Sequence, residues 1–120
     1  MQLAWVLLRA GQVQEALDMI ARPSRLSLGT AIEQWRFGRS VVLAEYVVDR
    51  NPDLGARLLG CVSVSSTLTL GLRRNEILTR ARAVLGDHVD DLLAQGAADG
   101  EESTVAEAHE IIRADGLTVD

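Results

Sequence analysis

The sequence predicts an all-α fold of about six helices in antiparallel hairpins, forming a short solenoid or a bundle. Three observations lead there. Apolar residues recur at helical spacing along most of the chain, and turn signals at Gly11, Asn51-Pro52-Asp53 and Gly86 cut it into helix-length pieces. Only four of the 120 residues are aromatic (Trp5, Trp35, Phe37 and Tyr46), so the core must be Leu, Val, Ala and Ile, which suits close helix spacing. The length corresponds to one domain with a single core.

The chain is organised around residues 30–66, read as a helical hairpin. From Ala31 one apolar stripe is Ile32, Trp35, Val42 and Tyr46, and a second is Phe37, Val41, Ala44 and Val48. Together they exceed the ~100° of a one-sided surface helix, so this helix is expected to be contacted from two sides. Glu33, Arg36, Arg39 and Asp49 fill the polar remainder, and Gly38 reads as a site of close packing. Pro52 disfavours helical dihedrals at Asn51 and ends the helix. Asn51 can then cap the next helix, with Pro52 in its first turn and Asp53 beside the positive end of its dipole. Leu54, Leu58 and Leu59 face inward, and so short a connection makes the two helices antiparallel neighbours.

Residues 1–23 read as a partial helix pair: 2–10 stopped by Gly11, then 12–21 with Val13, Ala16, Leu17 and Ile20 on one face, closed by Pro23. After the hairpin, Val62, Val64, Leu68 and Leu70 alternate with Ser and Thr in a strand pattern. A lone strand would lack a partner, so helix is expected to about Ser66 and an extended loop to Arg74. The C-terminal helices, 75–113, begin with one holding Ile77, Leu78, Ala81 and Leu85 inside and ending at Gly86. The next, from Asp87, is expected to stop at Gly96. Residues 97–103 read as a polar loop, Thr104 and Glu107 as a capping box, and 114–120 as a frayed tail.

The string GQVQEAL at residues 11–17 resembles the middle of a tetratricopeptide repeat, in which Gly ends one helix and a small residue, here Ala16, lets the pair approach closely. On that resemblance Leu3, Ala4, Leu7, Ile20 and Pro23 fall on packing positions. Residues 51–58 line up with 11–18, Ala56 taking the place of Ala16, and Ser24 to Gly29 add a loop between the two units. The wider run DLGARLLG, AVLG, LLAQG and STVAEAHEII resembles the C-terminal end of the tetratricopeptide-like region in large bacterial regulators of the LuxR/AfsR type and related signal-transduction ATPases. It covers roughly residues 50–112 and departs from the pattern at CVSVSSTLTLGL. The resemblance implies the helical-repeat part of a bacterial regulatory protein. The family's nucleotide-binding and DNA-binding domains have no counterpart in these residues, so neither activity carries over.

The net charge of −5 is unevenly distributed: eleven Arg face seven acidic residues in 1–86, and one Arg faces ten in 87–120. The acidic part is expected either to fold back on the arginines or to be solvated, with no basic or nucleic-acid partner required. All twelve basic residues are Arg, which reads as codon bias of a GC-rich genome. The single cysteine, Cys61, fits a reducing cytosol and reads as a buried, inert thiol. No run approaches the ~18 apolar residues of a membrane span, and the first eleven residues lack a signal-peptide pattern.

Chemistry-bearing patterns are sparse. His88 among Asp87, Asp90 and Asp91 lacks the ligand spacing of a closed metal site, and His109 beside Glu110 reads as an exposed helix residue. No glycine-rich phosphate loop, GxSxG elbow or paired catalytic carboxylates occur, so no enzymatic activity, cofactor or metal is expected. The expected function is a non-catalytic protein–protein interaction module in the cytoplasm. Its candidate contact residues are Leu3, Trp5 and Leu8, on a first helix apolar nearly all round, together with Trp35. A partner or a second copy is expected to cover that helix, because solenoid ends need a polar cap. The alternatives are a DNA-associated transcriptional regulator acting through Arg73, Arg74 and Arg80, and a small-molecule sensor between the hairpin helices near Trp35.

Overall fold

The computed structural model describes residues 2–21, 31–61 and 68–119, with the side chains of 2, 3, 31–34 and 68–70 left aside. Among the described residues there are seven helices and no strand: α1 (Gln2–Arg9), α2 (Val13–Ile20), α3 (Ala31–Val47), α4 (Pro52–Gly60), α5 (Leu68–Leu85), α6 (His88–Asp99) and α7 (Glu101–Ala114). The all-α expectation is met. Pro23, the loop from Ser24 to Gly29, and the expected helix over 62–66 lie outside the described residues.

The hairpin α3–α4 is the centre. Its turn follows its sequence: the Leu54 N–H donates to the Asn51 side chain at 3.1 Å, Pro52 opens α4, and Arg57 reaches back to Asp53 at 2.6 Å. Helix α3 packs against every other helix except α6, and α4 packs against α3, α5, α6 and α7. Val41, Val42, Leu43, Ala44 and Val47 are all solvent-free, which is why α3 carries two apolar stripes rather than one. At the N-terminal pair, Gly11 takes φ +84, turning the chain out of α1, and Ala16 is fully buried, as is Ala56 in α4.

Several boundaries differ from expectation, each for a tertiary reason. Helix α5 starts at Leu68, so residues 68–74 are helix rather than extended loop. The helix as a whole packs on α3 and α4, and the alternating pattern does not decide its start. Gly96 does not end α6, which continues to Asp99, and residues 97–103 are not a loop: a single residue, Gly100 with φ +87, separates α6 from α7. Gly96 is instead a contact. A Cβ there would lie 2.0 Å from the Arg57 carbonyl oxygen, and one on Gly60 would lie 2.1 Å from that of Leu93, so α4 and α6 cross backbone against backbone.

The capping box does not form. Thr104 is the fourth residue of α7 and fully buried; its hydroxyl lies 3.1 Å from the Gly100 carbonyl and 3.0 Å from that of Glu101. Glu107 pairs with Arg57 at 2.6 Å instead. The segment after α7 is docked rather than frayed, with Leu117 and Val119 packed against the core.

Candidate interaction groove

Helix α3 presents Trp35, Arg39, Leu43 and Tyr46 at spacings of four, four and three, the register of one helix face, and Arg50 follows in the turn after it. Helices α2 and α7 both pack on α3 yet make no contact with each other. The α3 stripe from Trp35 to Tyr46 therefore forms the floor of a furrow, about 17 Å long at 1.5 Å per residue. Val13, Gln14, Leu17 and Ile20 line one wall; Glu101, Val105 and His109 line the other. Two clefts open along it. One, of about 650 Å³, lies at the Tyr46–Arg50 end beside Gly11, Gln14 and Leu117. The other, of about 440 Å³, lies at the Trp35–Arg39 end beside Glu101, Val105 and His109. Between them, Val119 borders a narrow gap of about 10 Å³, the socket, lined by Leu17, Ile20, Ala21 and Leu43 together with Arg39 and His109.

Each end of the floor is an arginine lying on an aromatic ring. The Arg39 guanidinium sits 4.5 Å from the Trp35 ring centre and pairs with Glu101 of α7. Arg50 sits 4.4 Å from the Tyr46 ring centre, with its Nε 2.9 Å from Asp115. Such stacking holds a cation over the electron-rich ring face while its aliphatic stem covers apolar surface. The Tyr46 hydroxyl donates to Asp115 at 2.5 Å. Burial and that hydrogen bond to an anion raise its pKa to about 12. His109 is half-buried rather than exposed, and burial, reinforced by Arg113 and Arg39, lowers its pKa. The Trp35 Nε1 and Arg39 Nε atoms are buried without a hydrogen-bond partner among the described residues.

The residues singled out from the sequence are placed apart from one another. Trp5 is 2 % exposed and lies in the chain's own core, flanked by Arg9 and Arg73 at 5.0 Å each. It offers no free surface. Leu8 is half-buried against the core, the side chain of Leu3 is outside the described residues, and the exposed apolar residue of α1 is Val6. Trp35 belongs to the furrow, between α3 and α7. Near their turn the hairpin helices pack closely, Gly55 against Val48.

The arginines of α5 are taken up by nearby carboxylates or by burial. Arg80 pairs with Glu45 at 2.5 Å and Asp49 at 2.7 Å, Arg82 with Asp90 at 2.7 Å, and Arg73 lies 3.7 Å from Glu76. Arg74 is half-buried, and desolvation lowers its pKa. Four acidic residues of the second half, Asp90, Glu101, Glu107 and Asp115, pair with arginines of the first, so the charge asymmetry is answered within the chain.

Cys61 is half-buried, its Sγ 2.9 Å from the Thr104 hydroxyl and 3.2 Å from the Arg57 carbonyl, and burial raises its pKa. That leaves little thiolate to react. His88 is exposed, and no group of three metal-ligating side chains occurs among the described residues. No helix among them is long and apolar enough to cross a membrane.

The sequence reading missed Gln14, Leu43, Arg50 and His109 as furrow residues. The available signal was the spacing of residues 35, 39, 43, 46 and 50, hidden because two of the five are arginines. Comparison with known protein families, curated proteins and solved structures finds no match for this chain.

Proposed function

We propose that this chain is a non-catalytic protein-interaction module that binds an extended segment of a partner protein in the furrow over α3. One observation carries the reading: α2 and α7 stand apart over α3, and the non-helical segment after α7, residues 117–119, packs beside α2. A furrow of about 17 Å holds about five residues of extended chain at 3.3 Å each. Its half-open apolar middle and its two arginine–aromatic ends suit a segment with aliphatic and acidic or aromatic side chains. The resemblance to helical repeats of bacterial regulators supports the same reading, since such repeats bind partners in the hollow between helices.

Peptide display against the folded chain, followed by chemical-shift mapping of the enriched peptides, tests it. The expected result is a family of related peptides whose shifts centre on Trp35, Leu43 and Tyr46. Enrichment of nothing, or shifts centred on α5 and α6, overturns the reading.

A further inference from the structure

We infer that residues 116–119 are a built-in, exchangeable occupant of the furrow, and that the partner segment shares their pattern of two aliphatic residues flanking one residue read through its backbone. This rests on the interaction reading above and names its ligand.

The contact is made by a side chain acting as a neighbouring strand. Gln14 donates from Nε2 to the Thr118 carbonyl at 2.8 Å and accepts from the Thr118 N–H at Oε1 at 2.9 Å. A primary amide matches both backbone groups of one residue and is indifferent to that residue's side chain. The second Nε2 proton goes to Asp18 Oδ1 at 2.9 Å, and because a carboxylate only accepts, this fixes which way the amide faces. Thr118 itself is exposed. The residues on either side of it are both turned toward the furrow. Leu117 borders the cleft at Tyr46, and Val119 borders the socket of Leu17, Ile20 and Leu43.

The same contact is built to open. Gly116, at φ +84, is a pivot directly after α7, while Asp115 is anchored by Tyr46 and Arg50. Beyond the pivot, Leu117 and Val119 are only half-buried, and two further hydrogen bonds hold the segment, from the Leu117 N–H to the Ile112 carbonyl at 3.2 Å and from Arg113 to the Val119 carbonyl at 3.3 Å. Lifting residues 117–119 therefore leaves all seven helices intact and bares the socket, a local opening at the low end of the stability scale. While seated, the tethered segment competes at an effective concentration on the order of millimolar. A partner with the same pattern but a longer reach, extending into both clefts, displaces it.

The probe is fluorescently labelled Gly-Leu-Thr-Val-Asp, blocked at both ends, titrated against the full chain by anisotropy. Leu117→Ser/Val119→Ser weakens the seated segment and leaves the socket unchanged. This variant is expected to bind the probe at least about tenfold more tightly than the parent, and adding Gln14→Ala is expected to abolish the gain. Equal binding by parent and variant, with unchanged helical circular dichroism, overturns the proposal. If display-selected peptides still map to Leu43 and Tyr46 in that case, the furrow reading survives alone; if they do not, both fail. Should the variant lose its helix signal, the parent decides the matter: excess unlabelled probe must accelerate hydrogen exchange at the Thr118 amide, and no acceleration overturns the proposal.

Discussion

At the α4–α6 crossing, a Cβ on Gly60 or Gly96 would stand 2.1 or 2.0 Å from a backbone oxygen of the other helix. Over α3, by contrast, α2 and α7 do not pack on each other, and the clefts beside them are lined by Gln14, Arg39, Tyr46 and Arg50. Both regions belong to the central hairpin, one on each arm. Backbones have one shape, so the crossing admits a single geometry and no substitution. Long side chains have many rotamers, so the furrow can adjust to what lies in it. The rigid contact sets the frame, and the adjustable one is where a partner can enter.

The largest effect is expected from breaking the crossing. Gly96→Leu forces α6 away from α4, and the protein should lose at least about 3 kcal/mol. A thermal melt should show the midpoint fall by roughly 10 °C; an unchanged midpoint would mean the helices do not meet there. Tyr46→Phe, in the furrow, removes one hydrogen bond to a carboxylate that Arg50 still holds, and about 1 kcal/mol should be lost at neutral pH by urea unfolding.

The same variant has an alkaline signature. The tyrosine pKa is raised in the folded state, from 10.0 to about 12. Its stabilisation is therefore complete below pH 10 and is lost as pH rises through about 12. Tyr46→Phe should lack that alkaline decline.

Gly71→Ala sharpens the contrast between glycines. It lies inside α5 with nothing within 4 Å of a built Cβ, so the substitution should stabilise by about 0.5–1 kcal/mol. The smallest effect concerns His109. Its folded pKa is lowered from 6.5, so the unfolded chain takes up the proton first as pH falls. Stability from this site is full above about 6.5 and is lost as pH falls through the lowered value. His109→Gln should flatten the parent's acid-side slope, measured as the difference between the two chains from pH 7 to 5.

These glycines also show where sequence reading succeeds and stops. The turn at Asn51-Pro52-Asp53 was legible because each residue acts on its own backbone and its immediate neighbours. Gly11 and Gly86 were legible as helix ends for the same reason, and both take positive φ. Gly96 looked identical in the sequence, yet it sits inside α6 because Arg57, 39 positions away, occupies the space of its missing side chain. Nothing within the local window distinguishes a stop from a contact. Thr104 and Glu107 failed likewise, since burial claims one and Arg57 the other.

The furrow was half legible. Trp35 and Tyr46 stood out, but Arg39 and Arg50 read as the polar side of α3. Their guanidinium groups instead lie on the two aromatic rings, which a simple apolar–polar pattern cannot register.

The pair of hydrogen bonds from Gln14 joins residues 104 positions apart, so it ties the first helix pair to the segment beyond the last helix. In mechanical terms the chain is a loop held by a clasp. Tension applied between α2 and residue 119 falls first on one side-chain amide and its two hydrogen bonds. Those yield before any helix unwinds, because each helix is held by a ladder of backbone bonds and by a buried face. The molecule can thus be pulled open at this point and close again with its hairpins whole.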